Sequence, residues 1–538
     1  MTFTNEQVEI INSQESSFKI NAVAGSGKTT TLLEYAKKNS QLRILYLAYN
    51  KSLQSSIQEK VKKYKLSNMN ISTIHALAYN KIAAYQYNLS HDLKTAVIER
   101  KLNEYEKLIT KKNNYYPTLE YITLIKDLVN FYCNSSLIAL DLKLLENYKK
   151  YSDLSIKILE FINKDSSRVL AHTKFLLSAM KNKTIDATHD FYLKMFYLNK
   201  KISENLGYDL ILVDEAQDIS DVMIAIVESQ NCKRVYVGDS FQQIYSFRYA
   251  INALDKINLP SYNLSKSFRF SNDYAKTLEK NINSLNKKDS KLKISGIEGP
   301  TLLGEEHIDF SKQVAIISRT TFGLIQEIVH YIHKNYKIYF EGGYGSYSFM
   351  NQTVYSIFYL KEKKNDKISM DEIKEFDSIQ ELESFAKDTK NQDYLNIIKF
   401  INTYGDNIFE INKKIKEKIT TSKEESNIIF TTTHKSKGLE YEQVIMADDF
   451  ISKKEILNNK NNLSDEKIKE EINIYYVAAT RVKKAIKLSY LNLEYKQENN
   501  EQAFVKRNYP KSKDSQKKLK DLQEEWLKNN RVKKVDAF

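Results

Sequence analysis

The sequence predicts an α/β fold: two units of parallel sheet, one carrying a phosphate-binding loop, interrupted by two mainly helical insertions. Three observations predict it. Phe18-Lys19-Ile20 reads as a strand, Asn21–Thr31 as a glycine-bearing loop and Leu32–Ala36 as the start of a helix. Short apolar runs at Ile44–Ala48, Leu210–Val213, Val235–Val237, Val314–Ile317 and Ile428–Phe430 each end abruptly in polar residues, the pattern of strands buried on both faces. Between them, residues ~81–204 and ~346–426 show helical spacing, with Ile98, Leu102, Tyr105 and Ile109 in the first and Leu382, Phe385, Ile397, Ile398 and Ile401 in the second.

At 538 residues the chain is too long for a single core. No run reaches the ~18 apolar residues of a membrane span, so no membrane partner is expected, and the first residues have no signal-peptide pattern. Cys133 and Cys232 offer neither a disulfide framework nor a metal cluster, which makes a reducing, cytoplasmic compartment the expectation. The net charge of +14, from 82 Lys and Arg, fits a polyanionic partner such as nucleic acid. An AT-biased composition, rich in Lys, Asn, Ile and Tyr, accounts for it equally well.

In the loop Ala22-Val23-Ala24-Gly25-Ser26-Gly27-Lys28-Thr29-Thr30, the usual P-loop pattern has Gly where this chain has Ala22. Ala is small enough for that place, and Gly25 and Gly27 stay where backbone N–H groups close around phosphate oxygens. Lys28 is positioned by the motif to reach the β- and γ-phosphates, and the Thr29 hydroxyl to hold Mg²⁺. ATP and Mg²⁺ are therefore the expected cofactors. Upstream, Phe3–Gln7 opens a short helix, and the Gln7 carboxamide is able to donate to and accept from an adenine edge.

Further along, Asp214 and Glu215 follow a buried strand, where carboxylates are costly unless they bind a cation or do chemistry. Asp214 suits Mg²⁺, and Glu215 suits the base that orients the attacking water. Gln242 follows the next strand and is placed to sense the γ-phosphate; Phe247 nearby stacks on a base or packs in the core. Ile74-His75 follows a short strand, and His75 reads as nucleic-acid-facing or loop-fixing. The helix Ile474–Arg481 presents Arg481 as an arginine finger. The tail from ~498 is basic; Leu519, Leu522 and Trp526 form a short amphipathic face that packs on its own domain or binds a protein partner.

With these blocks in order, the chain resembles the UvrD/Rep-like superfamily 1A DNA helicases, and most of all the helicase portion of the F-box DNA helicases. The similar stretches are Ala24–Thr29, Leu47–Ser52, Thr73–His75, Val213–Asp218, Gln242–Arg248, Ser267–Phe270, His434–Glu440 and Tyr476–Arg481. The resemblance implies two RecA-like motor domains with ATP between them: 1A over residues 1–80 and 205–262, 2A over 263–345 and 427–497. It implies helical insertions 1B over 81–204 and a small 2B over 346–426, with 498–538 as the tail. By the family's pattern Gln7 reads adenine and Phe268 stacks on it, while Ala24, Gly25, Ser26, Gly27, Lys28, Thr29 and Thr30 form the phosphate loop. Lys28, Gln242, Arg269 and Arg481 surround the γ-phosphate, Asp214 and Glu215 hold Mg²⁺ and water, and Glu440 touches the ribose. Tyr49, Asn50, His75, Phe247 and His434 line a single-strand track.

The implied activity is ATP-driven 3′→5′ movement on single-stranded DNA with strand or protein displacement, acting at single-strand/duplex junctions. A nucleic-acid-binding ATP switch is the alternative. A protein partner is expected through 2B or the tail. The chain departs from the pattern at Thr30, where many relatives carry Arg, at Phe247, where UvrD itself has Trp, and at Tyr249, where the family has a small residue. Neither an F-box-like segment nor a RecB-type nuclease signature is read.

Overall fold

The structure, a computed structural model, describes residues 2–489 apart from 83, 110, 112–114, 152–153, 247–248, 287–290, 348–350 and 459–462. Phe247 and the tail residues Leu519, Leu522 and Trp526 therefore lie outside the described residues.

A six-stranded parallel sheet carries the P-loop. Its strands run, edge to edge, Met69–Ser72, Ile44–Leu47, Leu210–Val213, Lys233–Gly238, Ser17–Ala22 and Ser261–Leu264. Ile44–Leu47 and Leu210–Val213 are buried at every position, as strands covered on both faces must be. One face packs Phe18, Tyr46 and Leu212 on Leu32, Leu33 and Tyr35 of the helix Lys28–Lys38. The other packs Leu45, Leu47, Ile211 and Val213 on Leu193 and Phe196. The sheet order brings strands distant in sequence side by side, so that the ends of Ser17–Ala22, Lys233–Gly238 and Leu210–Val213 deliver their loops to one edge, where ligands collect in open α/β sheets.

The chain leaves this sheet after Met69–Ser72 and returns at Leu210–Val213. The interval holds the helices Thr95–Ile109, Leu119–Asn134, Leu142–Tyr151, Ile156–Lys164, Ser166–Lys181 and His189–Leu198, around a core that includes Ile98, Leu128, Phe131, Leu176 and Phe191. Tyr249 is anchored in this block. Its backbone has φ +56°, and its hydroxyl donates to the Asp127 carboxylate and carbonyl, while its ring meets Phe131 edge-on. A small residue there would leave the Asp127 contact unmade.

Ser261–Leu264 spans the boundary expected at 262 and pairs with Ser17–Ala22. Immediately beyond it, Lys266–Ser271 pairs with Ser295–Ile297. A second six-stranded parallel sheet then runs Leu302–Leu303, Val482–Lys487, Tyr441–Met446, Val314–Ser318, Ile428–Thr432 and Ile338–Phe340. Between Ile338–Phe340 and Ile428–Thr432 lie the helices Gln352–Lys361, Asp371–Lys374, Ile379–Asp388, Gln392–Tyr404 and Asn407–Lys418. These share one core with the sheet through Ile316, Phe430, Ile357, Phe385 and Ile401. Among the described residues no helix is long and apolar enough to cross a membrane.

Candidate functional site

The strand Ser17–Ala22 ends where the backbone turns through Gly25 at φ +72° and Gly27 at φ +79°. Both angles lie in the left-handed region that Gly enters without strain. Gly27 caps the helix Lys28–Lys38 without a side-chain hydrogen bond. The first-turn amides of a helix have no intrahelical acceptor, so the amides of Lys28, Thr29 and Thr30 remain for an anion. Ser26 Oγ is buried without a hydrogen-bond partner. A loop of this kind, with a lysine and an orphaned hydroxyl, fits a polyphosphate.

Lys28 points at the acidic pair. Its Nζ donates to Glu215 Oε1 at 3.1 Å and to Oε2 at 3.3 Å. Glu215 has φ +52°, which swings it off the end of Leu210–Val213 toward the P-loop. Gln217 Nε2 donates to the same carboxylate at 2.6 Å. Burial works against the charge of Glu215, but Lys28 and then Lys437 outweigh it and hold its carboxyl down to about 2. Asp214 goes the other way: burial and the neighbouring Glu215 push it up to about 6. Its Oδ1 accepts from the Glu215 amide at 2.9 Å and its Oδ2 from the Tyr46 hydroxyl at 2.6 Å. Among the described residues no group of three His, Cys, Asp or Glu side chains is disposed to hold a metal ion. Thr29 and Asp214 supply one hydroxyl and one carboxylate, the sparse oxygen set that suits Mg²⁺, which keeps waters and phosphate oxygens as its other ligands.

The far wall comes from Lys266–Ser271 and the helix Asp465–Ala479. The Phe268 amide donates to Gly25 O at 2.9 Å. A Cβ on Gly27 would meet Gln7 Nε2 at 3.0 Å and the Phe268 ring at 3.7 Å, so Gln7, the P-loop and Phe268 lie together. Phe268 is 44% exposed, an open aromatic face beside the loop. Gln7 is held from two sides: Thr4 N, at the cap of its own helix, donates to its Oε1, and its Nε2 donates to Thr31 Oγ1 of the P-loop helix at 3.3 Å. Thr30 is partly buried on the first turn of the P-loop helix.

Arg269 and Arg481 are both present on this wall. Arg269 Nη2 donates to Glu440 Oε1 at 2.6 Å and Nη1 to Thr480 O, while its Nε is buried without a partner. Glu440, expected at a ribose, is thus engaged by Arg269 in this structure, and that pairing holds its carboxyl below the usual range against its burial. Arg481 is 1% exposed. Its guanidinium donates to Val477 O at 2.8 Å and Leu439 O at 3.2 Å and reaches Gln242 Oε1 at 3.5 Å.

Several side chains at this centre were not singled out from the sequence. Gln242 Nε2 donates to Asp239 Oδ2 at 2.7 Å, and the Tyr476 hydroxyl donates to the same oxygen at 3.1 Å while accepting from the Ala24 amide at 3.2 Å. Lys437 donates to Asp218 Oδ2 and to Gln242 O, a buried ion pair. Tyr476, Asp218 and Lys437 sit inside the motif blocks and Asp239 lies three residues before one, next to the residues that carry the obvious chemistry. Tyr46 sits outside them and has only the signal of a hydroxyl in an otherwise apolar strand.

The expected nucleic-acid residues divide into two places. Tyr49 stacks on Tyr245 at 5.6 Å and 17°, and Tyr245 in turn meets the His434 ring at 5.9 Å. His434 Nε2 bonds Ile244 O at 3.0 Å, and Asn50 caps the helix Lys51–Tyr64 through Leu53 N. His75 is instead tied to Asp190 Oδ1 at 3.1 Å, on the helix His189–Leu198, an arrangement that fixes its loop.

Residues 3–257 match the model of the UvrD/REP helicase N-terminal domain. The chain is 27% identical over 520 residues to F-box DNA helicase 1 of Gallus gallus, covering 90% of this chain and 49% of that protein. It is 29% identical over 532 residues to F-box DNA helicase protein 1 of Schizosaccharomyces pombe, covering 90% and 57%. It is 26% identical over 277 residues to a probable DNA helicase II homolog of Mycoplasma genitalium, covering 46% and 37%. The chain thus spans about half the length of the two F-box relatives.

Proposed function

We propose, from its likeness to the UvrD-like helicases, that the chain is an ATP-dependent DNA helicase that moves 3′→5′ along single-stranded DNA and displaces a strand or a bound protein. The two sheets serve as RecA-like motor domains, 1A over 1–80 and 205–262 and 2A over 263–345 and 427–497. The helical blocks 81–204 and 346–426 serve as insertions 1B and 2B.

The observation that carries this reading is that Lys28 bonds Glu215 beside the P-loop while Arg481, from the second sheet's elements, reaches Gln242 of the first. A binding module needs no water-orienting carboxylate facing two guanidinium groups; a hydrolase does. Lys28 leaves Glu215 to neutralise the β- and γ-phosphates, and Glu215 is freed to orient water. Arg269 and Arg481 neutralise the charge that develops on the transferred phosphoryl group. Gln7 and Phe268 select the base. Thr29 and Asp214 would hold Mg²⁺, which would supply charge neutralisation for the phosphates.

Hydrolysis removes the phosphate that draws the two walls together, so the cleft alternates between closed and open. Tyr49, Asn50, Phe247, His434 and, through the loop that its Asp190 contact fixes, His75 act as the DNA-facing residues through which that alternation becomes a step. Partners are single-stranded DNA and junctions, with 2B or the tail open to a protein.

Steady-state ATP hydrolysis with and without single-stranded DNA, single-stranded RNA and duplex tests the reading beside a Glu215→Gln control. Strong stimulation by single-stranded DNA, lost in the control, is expected. An unstimulated rate would replace the motor with an ATP switch.

A further inference from the structure

Tyr46 occupies a strand position where an apolar ring would suffice. It is fully buried in Ile44–Leu47, opposite Leu212 of the neighbouring parallel strand. The two share the sheet face that packs the P-loop helix. Side chains alternate along a strand, so Asp214, two residues beyond Leu212, leaves the sheet on that same face. The Tyr46 hydroxyl therefore meets the Asp214 carboxylate just where the P-loop helix begins. It donates to Oδ2 at 2.6 Å, and the Thr29 side chain faces the same hydroxyl.

A phenol carried into a core has to find an acceptor, and here the acceptor is one of the two side chains assigned to Mg²⁺. With Oδ1 taken by the Glu215 amide, each Asp214 oxygen keeps lone-pair capacity for a cation or its waters, and the carboxylate has no freedom to rotate.

We propose that Tyr46 is a positioning residue for the divalent cation: its hydroxyl locks Asp214 in the orientation that shares the ion with Thr29. The inference rests on the reading of Asp214 and Thr29 as the Mg²⁺-holding pair. Hydrogen-bond partners of metal ligands typically change metal affinity by about 10–100-fold when removed.

The test is Mn²⁺ binding to the full chain, followed by electron paramagnetic resonance in the presence of ADP, alongside the Mg²⁺ concentration that half-saturates ATP hydrolysis. Tyr46→Phe keeps the ring and removes the donor. It is expected to weaken Mn²⁺ binding about tenfold and raise half-saturating Mg²⁺ by a similar factor, with binding of ADP in EDTA unchanged. Tyr35→Phe removes another buried hydroxyl, one with no hydrogen-bond partner, and is expected to change neither quantity.

Unchanged Mn²⁺ affinity in folded Tyr46→Phe overturns the inference while leaving the metal site standing. Wild-type affinity in Asp214→Asn overturns the metal-site reading and the inference with it. If Tyr46→Phe does not fold, 3-fluorotyrosine placed at position 46 alone preserves shape and strengthens the donor. A shifted Mn²⁺ affinity then supports the role of the hydroxyl, and an unshifted one overturns it.

Discussion

Lys28 Nζ lies 3.1 Å from Glu215 Oε1, so the cation proposed for phosphate and the carboxylate proposed for water neutralise each other. Both side chains are largely withdrawn from solvent, where an unpaired charge is costly. The pair resolves that cost. On the proposed reading, Glu215 is released for chemistry only when another anion takes Lys28.

Lys28→Ala is therefore expected to do two things. It removes the phosphate contact, abolishing ATP hydrolysis, and it leaves Glu215 buried without its nearest cation, so the Glu215 carboxyl rises from its depressed value. A hydrolysis assay with single-stranded DNA reads the first effect. Normal turnover in this variant would end the P-loop assignment.

Phe268 presents a ring that is 44% exposed beside Gly27 and Gln7. Base–aromatic stacking is worth roughly 1–3 kcal/mol, so Phe268→Ala is expected to raise KM for ATP on the order of tenfold with kcat much less affected. Comparison of ATP with inosine and pyrimidine triphosphates separates stacking from the Gln7 edge contact: Phe268→Ala weakens all of them, whereas Gln7→Ala erases the preference among them.

The P-loop and the acidic pair were legible in the sequence because their chemistry is local. Gly25, Gly27, Lys28 and Thr29 are contiguous, and Asp214-Glu215 directly follows a four-residue apolar strand. Both sheets were legible from apolar runs that stop at polar loops. What stayed hidden depends on distance along the chain. Tyr46 reads as one more strand residue until Leu210–Val213, far downstream, is laid beside it. Lys437 and Asp218 are 219 positions apart, and nothing local to either says that they meet. The Glu440–Arg269 pair is of the same kind: each residue was read toward the nucleotide, and each is also within reach of the other. Tyr249, a departure from the family's small residue, is explained by Asp127 in the inserted helices.

Glu327 predicts a pH dependence of stability. It is 7% exposed on the helix Thr321–Tyr331, and burial pushes its carboxyl from 4.5 up to about 7, with Lys487 opposing. Between those values the folded chain keeps a proton that the unfolded chain has lost, so this contribution to stability falls as pH rises from about 4.5 to about 7. Glu327→Gln removes the titration. Its gain over wild type is expected to grow across that window and level off above it, on the order of 3 kcal/mol at about 1.4 kcal/mol per pH unit. Urea melts at a series of pH values check the sign; a constant difference would exclude Glu327 as the source.

The buried Lys437–Asp218 pair separates stability from coupling. Its side chains are 9% and 0% exposed, and Lys437 also holds Gln242 O at 2.6 Å. Removing one partner of a buried pair typically costs about 3–5 kcal/mol, whereas replacing both with apolar residues is often neutral. Lys437→Met is thus expected to lower the urea midpoint strongly, and Lys437→Met with Asp218→Leu to restore most of it. Activity is expected to behave differently. Lys437 helps keep Glu215 charged and fixes the segment bearing Gln242, and no apolar pair does either. The double variant should fold stably yet hydrolyse ATP slowly even with single-stranded DNA. Recovery of both stability and hydrolysis would mean that the pair only fills space between the two sheets' elements.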